Sequence, residues 1–204
     1  MRILKISRKH KGSHLSLYNV TYETHGVEYN HETVSRRGTT WDPTPLDVMN
    51  IGQNIDGVAC IVLNKNHDSI CLIQEYRPAA NAWVCDIPMG LIEYHETPEQ
   101  AAIRETIEET GLTDLKVLNV LKPVYVNPSY SDSRVVTVVL ETDSTPAFNE
   151  NHIVPLWFEI KKLKRLLLHK NCPPMSAKAQ NVLYSLAMTP DIDFLTCPNP
   201  DESE

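Results

Sequence analysis

Along residues 15–36, LSLYNVTYETHGVEYNHETVSR, apolar and polar positions alternate: Leu15 and Leu17, then Val20 and Tyr22, then Val27 and Tyr29. A period of two marks strands buried on one face, and Thr24-His25-Gly26 supplies a turn, so the pattern predicts an antiparallel hairpin or meander. Such a piece is marginal alone and needs a surface to pack against. Residues 38–55 hold two prolines and little periodicity and read as a linker. From Asp56 the pattern changes to apolar runs. Val58–Leu63 reads as a strand, Asn64–Asp68 as a turn, and Ser69–Tyr76 and Trp83–Ile87 as further strands. Strands are also predicted at Leu115–Val126, Arg134–Glu141 and Ile153–Ile160. Lys161–His169 reads as helical, and Ser176–Met188 as an amphipathic helix with Ser176 as its N-cap. Strands and helices mix without a regular βαβ alternation, so the fold class is α+β. The acidic, proline-bearing tail at 191–204 is expected to be mobile.

The strongest local signal is a helix rich in glutamate. Thr97-Pro98-Glu99-Gln100 forms a capping box with proline at the first helical position. Gly111 fits the C′ position, followed by Leu112 as its apolar contact. The helix is therefore predicted over Pro98–Thr110. At about 100° per residue, Glu105, Glu108 and Glu109 share one face. Ala101 and Ala102 lie one turn earlier on that face, where small side chains leave room for a ligand, while Ile103 and Ile107 are expected to face the core. Like charges so placed destabilise a helix. A run of charge alone is most simply a solvated face. Here Arg104 sits against the acidic face, Glu96 lies in the preceding loop, and Pro88-Met89-Gly90 turns a strand sharply into that loop. Three carboxylates on one helical face suit a hard divalent cation, which takes oxygen ligands and substrate phosphates.

Composition narrows the picture further. The net charge of −7 over 204 residues argues against a nucleic-acid surface built of Lys and Arg. No apolar run approaches the roughly 18 residues of a membrane helix, and the basic N-terminus lacks the apolar core of a secretory signal. Cys60, Cys71, Cys85, Cys172 and Cys197 are odd in number, without a CxxC pair, and read as reduced thiols of a cytoplasmic protein. The eight histidines form no ligand cluster.

Gly90, Glu96, Arg104, Glu105, Glu108, Glu109, Gly111 and Leu112 match the Nudix box, G-x5-E-x7-R-E-U-x-E-E-x-G-U, where U is apolar. Thr106 at the first U is the one departure, and its methyl should still let the helix pack. The chain thus resembles the Nudix hydrolases. The resemblance implies a mixed β-sheet between α-helices, preceded here by the small N-terminal antiparallel β-meander. It also implies hydrolysis of a nucleoside diphosphate linked to another moiety, with Mg2+ as cofactor and Mn2+ as a substitute. By the same resemblance Glu105 and Glu109 are principal metal ligands, Glu108 a further one, and the Met89 carbonyl another contact. Glu96 binds metal or orients Arg104, and Glu108, Glu109 and Arg104 are catalytic.

Three weaker stretches resemble the ADP-ribose pyrophosphatase subfamily: Asp56-Gly57-Val58-Ala59, Gln74-Glu75-Tyr76-Arg77-Pro78, and Ser176–Ala187. That resemblance implies a homodimer with exchanged N-terminal strands, in which residues 1–50 serve dimerisation and substrate contacts and 51–190 form the hydrolase domain. Arg77 and Arg36 are then substrate-binding arginines. His31 stands where relatives often place an aromatic ring against the base, with Tyr29 and Trp41 as alternatives. Asp132, in the loop Asn127–Asp132, is a further ligand contact, and Glu150 is the late-loop glutamate that helps to activate water. The leading expectation is cleavage of ADP-ribose or a related ADP-sugar to AMP and a sugar phosphate. Alternatives are a Nudix hydrolase for another nucleotide (a UDP-sugar, an oxidised nucleoside diphosphate, FAD or a dinucleotide) and a nucleotide-sensing module without turnover.

Overall fold

The computed structural model describes residues 1–36, 55–147 and 152–189. The expected linker, except Ile55, lies outside these residues, as do Trp41, Glu150, Cys197 and the tail at 191–204. The described residues gather into two compact units, one within Met1–Asp56 and Pro123–Val135, the other within Gly57–Lys122 and from Val136 onward.

In the first unit β1 (Arg2–Lys11), β2 (Ser16–Thr24) and β3 (Val27–Ser35) form an antiparallel sheet in that order. The turn between β2 and β3 has positive φ at both central residues, 53° at His25 and 75° at Gly26. That backbone follows the natural twist of two strands joined by a two-residue loop. Strand β1 was not legible in the sequence pattern. Two register shifts along its pairing with β2 break the alternation that would have announced it. The segment 123–135 is held to this sheet. Val34 donates its amide hydrogen to the Tyr130 carbonyl at 2.7 Å, and the Ser35 hydroxyl donates to Asp132 Oδ2 at 2.9 Å. Within this segment β9 (Val124–Tyr125) pairs with the start of β10 (Arg134–Thr142).

The second unit is built on β4 (Gly57–Asn64), β5 (Ser69–Arg77), β6 (Ala82–Asp86), β7 (Met89–Leu91), β8 (Lys116–Val120) and β11 (Ile153–Glu159). The sheet order is β11-β5-β4-β10-β8, with β6 on β5 and β7 on β4. The helices are α1 (Pro98–Thr110), α2 (Leu163–Leu167) and α3 (Ala177–Met188). A continuous apolar run predicts a strand covered on both faces, and β4 is one: Val58–Leu63 are at most 3% exposed. Ala59, Ile61 and Leu63 join Leu72, Ile87, Leu163, Leu183 and Leu186 in one cluster beneath α2 and α3. Cys60 points to the opposite face, where its thiol donates to the Ala102 carbonyl of α1 at 3.7 Å. The α+β class and the mixed sheet between helices are as expected.

Three details differ from the sequence reading. The strand expected over Leu115–Val126 breaks into β8 and β9, with Pro123 between them, since proline cannot donate to a ladder. The sharp turn at Pro88-Met89-Gly90 leads into strand β7, paired with Gly57–Ala59. The helical stretch after β11 is a 3-10 turn, Ile160–Lys162, followed by the short α2. Among the described residues no helix is long and apolar enough to cross a membrane.

Candidate active site

Helix α1 starts and stops where its caps dictate. Thr97 Oγ1 accepts the Gln100 amide hydrogen at 3.3 Å and Gln100 Oε1 accepts that of Thr97 at 2.9 Å. At the other end Gly111 takes φ 67° and donates to the Ile107 carbonyl. The faces of the helix need correction. Ala101, Ala102 and Thr106 are fully buried, while Ile107 is 39% exposed. The small residues leave no room for a ligand. They let α1 lie close on the sheet, and Ile107 is not the core contact expected of it. Glu109 lies three residues beyond Thr106 and seven beyond Ala102, so it shares this buried stripe and is 8% exposed. Glu108, one step around, has a side chain 48% exposed.

Glu109 Oε2 accepts the Met89 amide hydrogen at 2.9 Å. Burial nevertheless pushes its pKa up to about 8, with the nearby charges of Glu105 and Glu75 adding to the rise. Burial also raises the Glu105 carboxyl, against the lowering effect of Arg104. Gly90 leaves room for the Glu105 carboxyl: a Cβ there would lie 1.8 Å from Glu105 Cδ and would displace that side chain.

Arg104 organises the exposed side of the site. Its Nε and Nη2 donate to Glu96 Oε1 and Oε2 at 2.8 and 2.9 Å, the paired geometry a guanidinium makes with a carboxylate. Its Nη1 donates to Glu105 Oε1 at 2.8 Å and Glu108 Oε2 at 3.2 Å, and Nη2 also reaches the Leu91 carbonyl. Hydrogen bonds from Arg104, then from the Glu93 amide, hold the Glu96 carboxyl down to about 2. Of the two roles open to Glu96, orienting Arg104 is the one these contacts describe.

Met89, Glu96, Arg104, Glu105, Glu108 and Glu109 therefore come together in the second unit. Arg77, at the end of β5, acts electrostatically on Glu109 and pairs with Glu75 at 2.8 Å. Glu75 is a charged neighbour of the site that sequence reasoning missed. Residues two apart on a strand share a face, and that spacing could have suggested the pair.

The other candidates belong to the first unit. His31, exposed on β3, and Asp132, 6% exposed, line a cavity of about 400 Å³ together with Tyr22, Thr33 and Tyr125. Tyr29 stacks on Tyr22 with ring centroids 5.6 Å apart. Arg36 is exposed just beyond β3. Glu150 lies outside the described residues.

Among the described residues no three His, Cys, Asp or Glu side chains form a ready metal cluster. The donor chemistry still fits a hard cation. Glu105 and Glu109 are carboxyls whose charged form is disfavoured by burial, the condition that a divalent ion reverses. Each also keeps an oxygen, Glu105 Oε2 and Glu109 Oε1, beyond those engaged by Arg104 and Met89.

A mixed sheet with a capped carboxylate helix across it and a glycine cradle beneath one glutamate defines a known class of fold and site. The NUDIX domain family model matches residues 53–178, more than half of the chain, which therefore belongs to the Nudix family. The ADP-sugar pyrophosphatase of Mus musculus is 34% identical over 109 residues, 51% of this chain and 49% of that protein. The ADP-ribose pyrophosphatase of Saccharomyces cerevisiae is 27% identical over 120 residues, 57% of this chain and 51% of that protein. The chain thus spans about half the length of the curated relatives it matches. A crystal structure of an ADP compounds hydrolase has a similar fold, with a TM-score of 0.61 at 22% identity over 89% of each chain.

Proposed function

We propose that this chain is a Mg2+-dependent hydrolase that cleaves the diphosphate of ADP-ribose or a related ADP-sugar to AMP and a sugar phosphate. The observation that carries the reading is Glu109. Its buried carboxyl is anchored on the Met89 amide and raised to about 8, beside a second raised carboxyl at Glu105. Such a pair is unfavourable without a cation. Similarity to proteins named for ADP-sugar and ADP-ribose supports the substrate class.

In this reading Glu105, Glu109, Glu108 and the Met89 carbonyl hold the cation, with Mn2+ as a substitute. A cation held there would supply positive charge against the diphosphate oxygens and would lower the pKa of a neighbouring water, so that a base could take its proton more easily. Arg104 holds Glu105 in place, and Glu96 holds Arg104. Arg77 binds diphosphate oxygens, to which a guanidinium can donate twice, and Arg36 is a further substrate-binding arginine. Glu75 keeps Arg77 extended. His31 stacks on the base, Asp132 accepts hydrogen bonds from the nucleoside, and Glu150 takes the proton from the attacking water. The N-terminal meander within 1–50 joins two copies into a homodimer by strand exchange, 51–190 is the catalytic domain, and the protein works in the cytoplasm.

A second reading has its own observation. His31 offers a smaller stacking surface than a large aromatic ring, which favours a nucleotide held less by its base, such as a UDP-sugar, FAD or a dinucleotide. The test is turnover of ADP-ribose with Mg2+ by wild type and Glu109→Gln, with products identified, followed by a panel of nucleotides. AMP formed by wild type and not by the variant supports the first reading. Turnover of a different nucleotide alone supports the second.

A further inference from the structure

We infer that Asp86 is a positioning residue for the carboxyl site, acting through the backbone it anchors; the inference rests on the cation reading above. Asp86 closes β6 and is only 4% exposed, yet the proposed reaction makes no use of it. Its Oδ1 accepts two hydrogens, one from the Ile87 amide at 2.9 Å and one from the Ser176 hydroxyl at 2.6 Å. Ser176 is also the N-cap of α3 and accepts the Ala179 amide hydrogen at 3.0 Å. Burying a carboxyl is costly unless it is hydrogen-bonded, and an apolar side chain would fill the same space at lower cost. What the position gains is geometry.

The chain leaving Asp86 is pinned almost residue by residue. Before it, Cys85 donates its amide hydrogen to the Pro174 carbonyl at 2.8 Å and accepts that of Ser176 at 3.1 Å. After it, Ile87 is 1% exposed and the Pro88 carbonyl accepts the Cys60 amide hydrogen at 2.8 Å. Met89 then presents its amide to Glu109, and Gly90 passes beneath Glu105. A carboxyl bonded to the next residue's amide fixes the orientation of that peptide plane. The Ser176 hydroxyl in turn fixes the carboxyl. The start of α3 thereby sets the direction in which the chain reaches Met89, and through Met89 it sets the place of the Glu109 carboxyl.

The experiment is Mn2+ titration of the full chain followed by the electron paramagnetic resonance of free Mn2+. It compares wild type with Asp86→Ala, Asp86→Asn, Ser176→Ala and Glu109→Gln, alongside melting temperature and the NMR position of the Met89 amide. Direct outer partners of metal ligands change affinity by about 10–100-fold; Asp86 acts further out, through the Ile87–Met89 backbone, so Asp86→Ala should weaken Mn2+ binding by several-fold to about tenfold. It should also shift the Met89 amide and lower kcat with KM little changed. Asp86→Asn keeps an accepting oxygen and should stay near wild type, with Ser176→Ala between the two. If Asp86→Ala does not fold, Ser176→Ala decides by the same criterion. Wild-type Mn2+ affinity in both Asp86→Ala and Ser176→Ala, with Glu109→Gln impaired, overturns the inference alone. Wild-type affinity in Glu109→Gln as well overturns the cation reading, and the inference falls with it.

Discussion

The amide hydrogen of Met89 is bonded to the carboxyl of Glu109 across twenty residues of sequence, at 2.9 Å. This contact ties the short strand β7 to the buried stripe of α1. One amide bond does not offset the burial of the carboxyl, which stays raised to about 8. Replacing Glu109 with Gln keeps an oxygen for Met89 and removes the charge. Turnover with Mg2+ is expected to fall by about 10³-fold, roughly 4 kcal/mol in the barrier, with little change in the circular dichroism spectrum. Steady-state kinetics of the variant check this.

The same carboxyl gives the metal-free protein a pH dependence with a definite sign. The folded-state pKa, about 8, lies above the ordinary 4.5, so the native state holds this proton more tightly than the unfolded chain does. The contribution to stability is therefore complete below pH 4.5 and is lost as pH rises through about 8. Its size is on the order of 5 kcal/mol. Urea melts in EDTA across this range should show the fall in wild type and a flatter profile in Glu109→Gln. Added Mg2+ should restore wild type at the alkaline end, because the ion binds the ionised form.

Gly90→Ala separates folding from function. The new Cβ would lie 1.8 Å from Glu105 Cδ, the far end of a flexible side chain, so Glu105 is displaced rather than the backbone. Stability should fall by no more than about 1–2 kcal/mol, while activity should drop about 100-fold or more as one ligand leaves the site. Thermal melts paired with initial rates test the split.

Arg104→Lys keeps the charge and loses the fork. Lysine cannot donate in parallel to both oxygens of Glu96 while also holding Glu105, Glu108 and the Leu91 carbonyl. The expected result is a fall in kcat of about 10–100-fold, with the required Mg2+ concentration rising as Glu105 loses its anchor. Measuring rate against Mg2+ concentration distinguishes this from a simple loss of charge.

Arg77→Ala addresses the substrate rather than the metal. With Glu75 left unpaired next to Glu109, KM for ADP-ribose should rise by about tenfold or more through the lost diphosphate contact. Charge reversal at Glu75 alone should disturb KM less than removal of the guanidinium. Saturation kinetics of the two variants rank the effects.

Local physical chemistry was enough to bound α1: Thr97, Pro98, Gln100 and Gly111 satisfy the helix ends themselves, so caps read from sequence coincide with caps in the fold. The apolar run of β4 and the Gly26 turn were legible for the same reason, because short-range chemistry decides them. By contrast, β1 and β7 owe their existence to partners. Bulged pairing with β2 makes the first, and a three-residue pairing with β4 makes the second. The sequence by itself determined that three glutamates share a helical face. Tertiary packing alone decided that Glu109 is buried, that Glu108 stays in solvent, and that Ala101 and Ala102 serve close approach to the sheet rather than ligand access. Helical periodicity determines which residues are neighbours on α1, while the direction in which that face is covered depends on where the sheet lies.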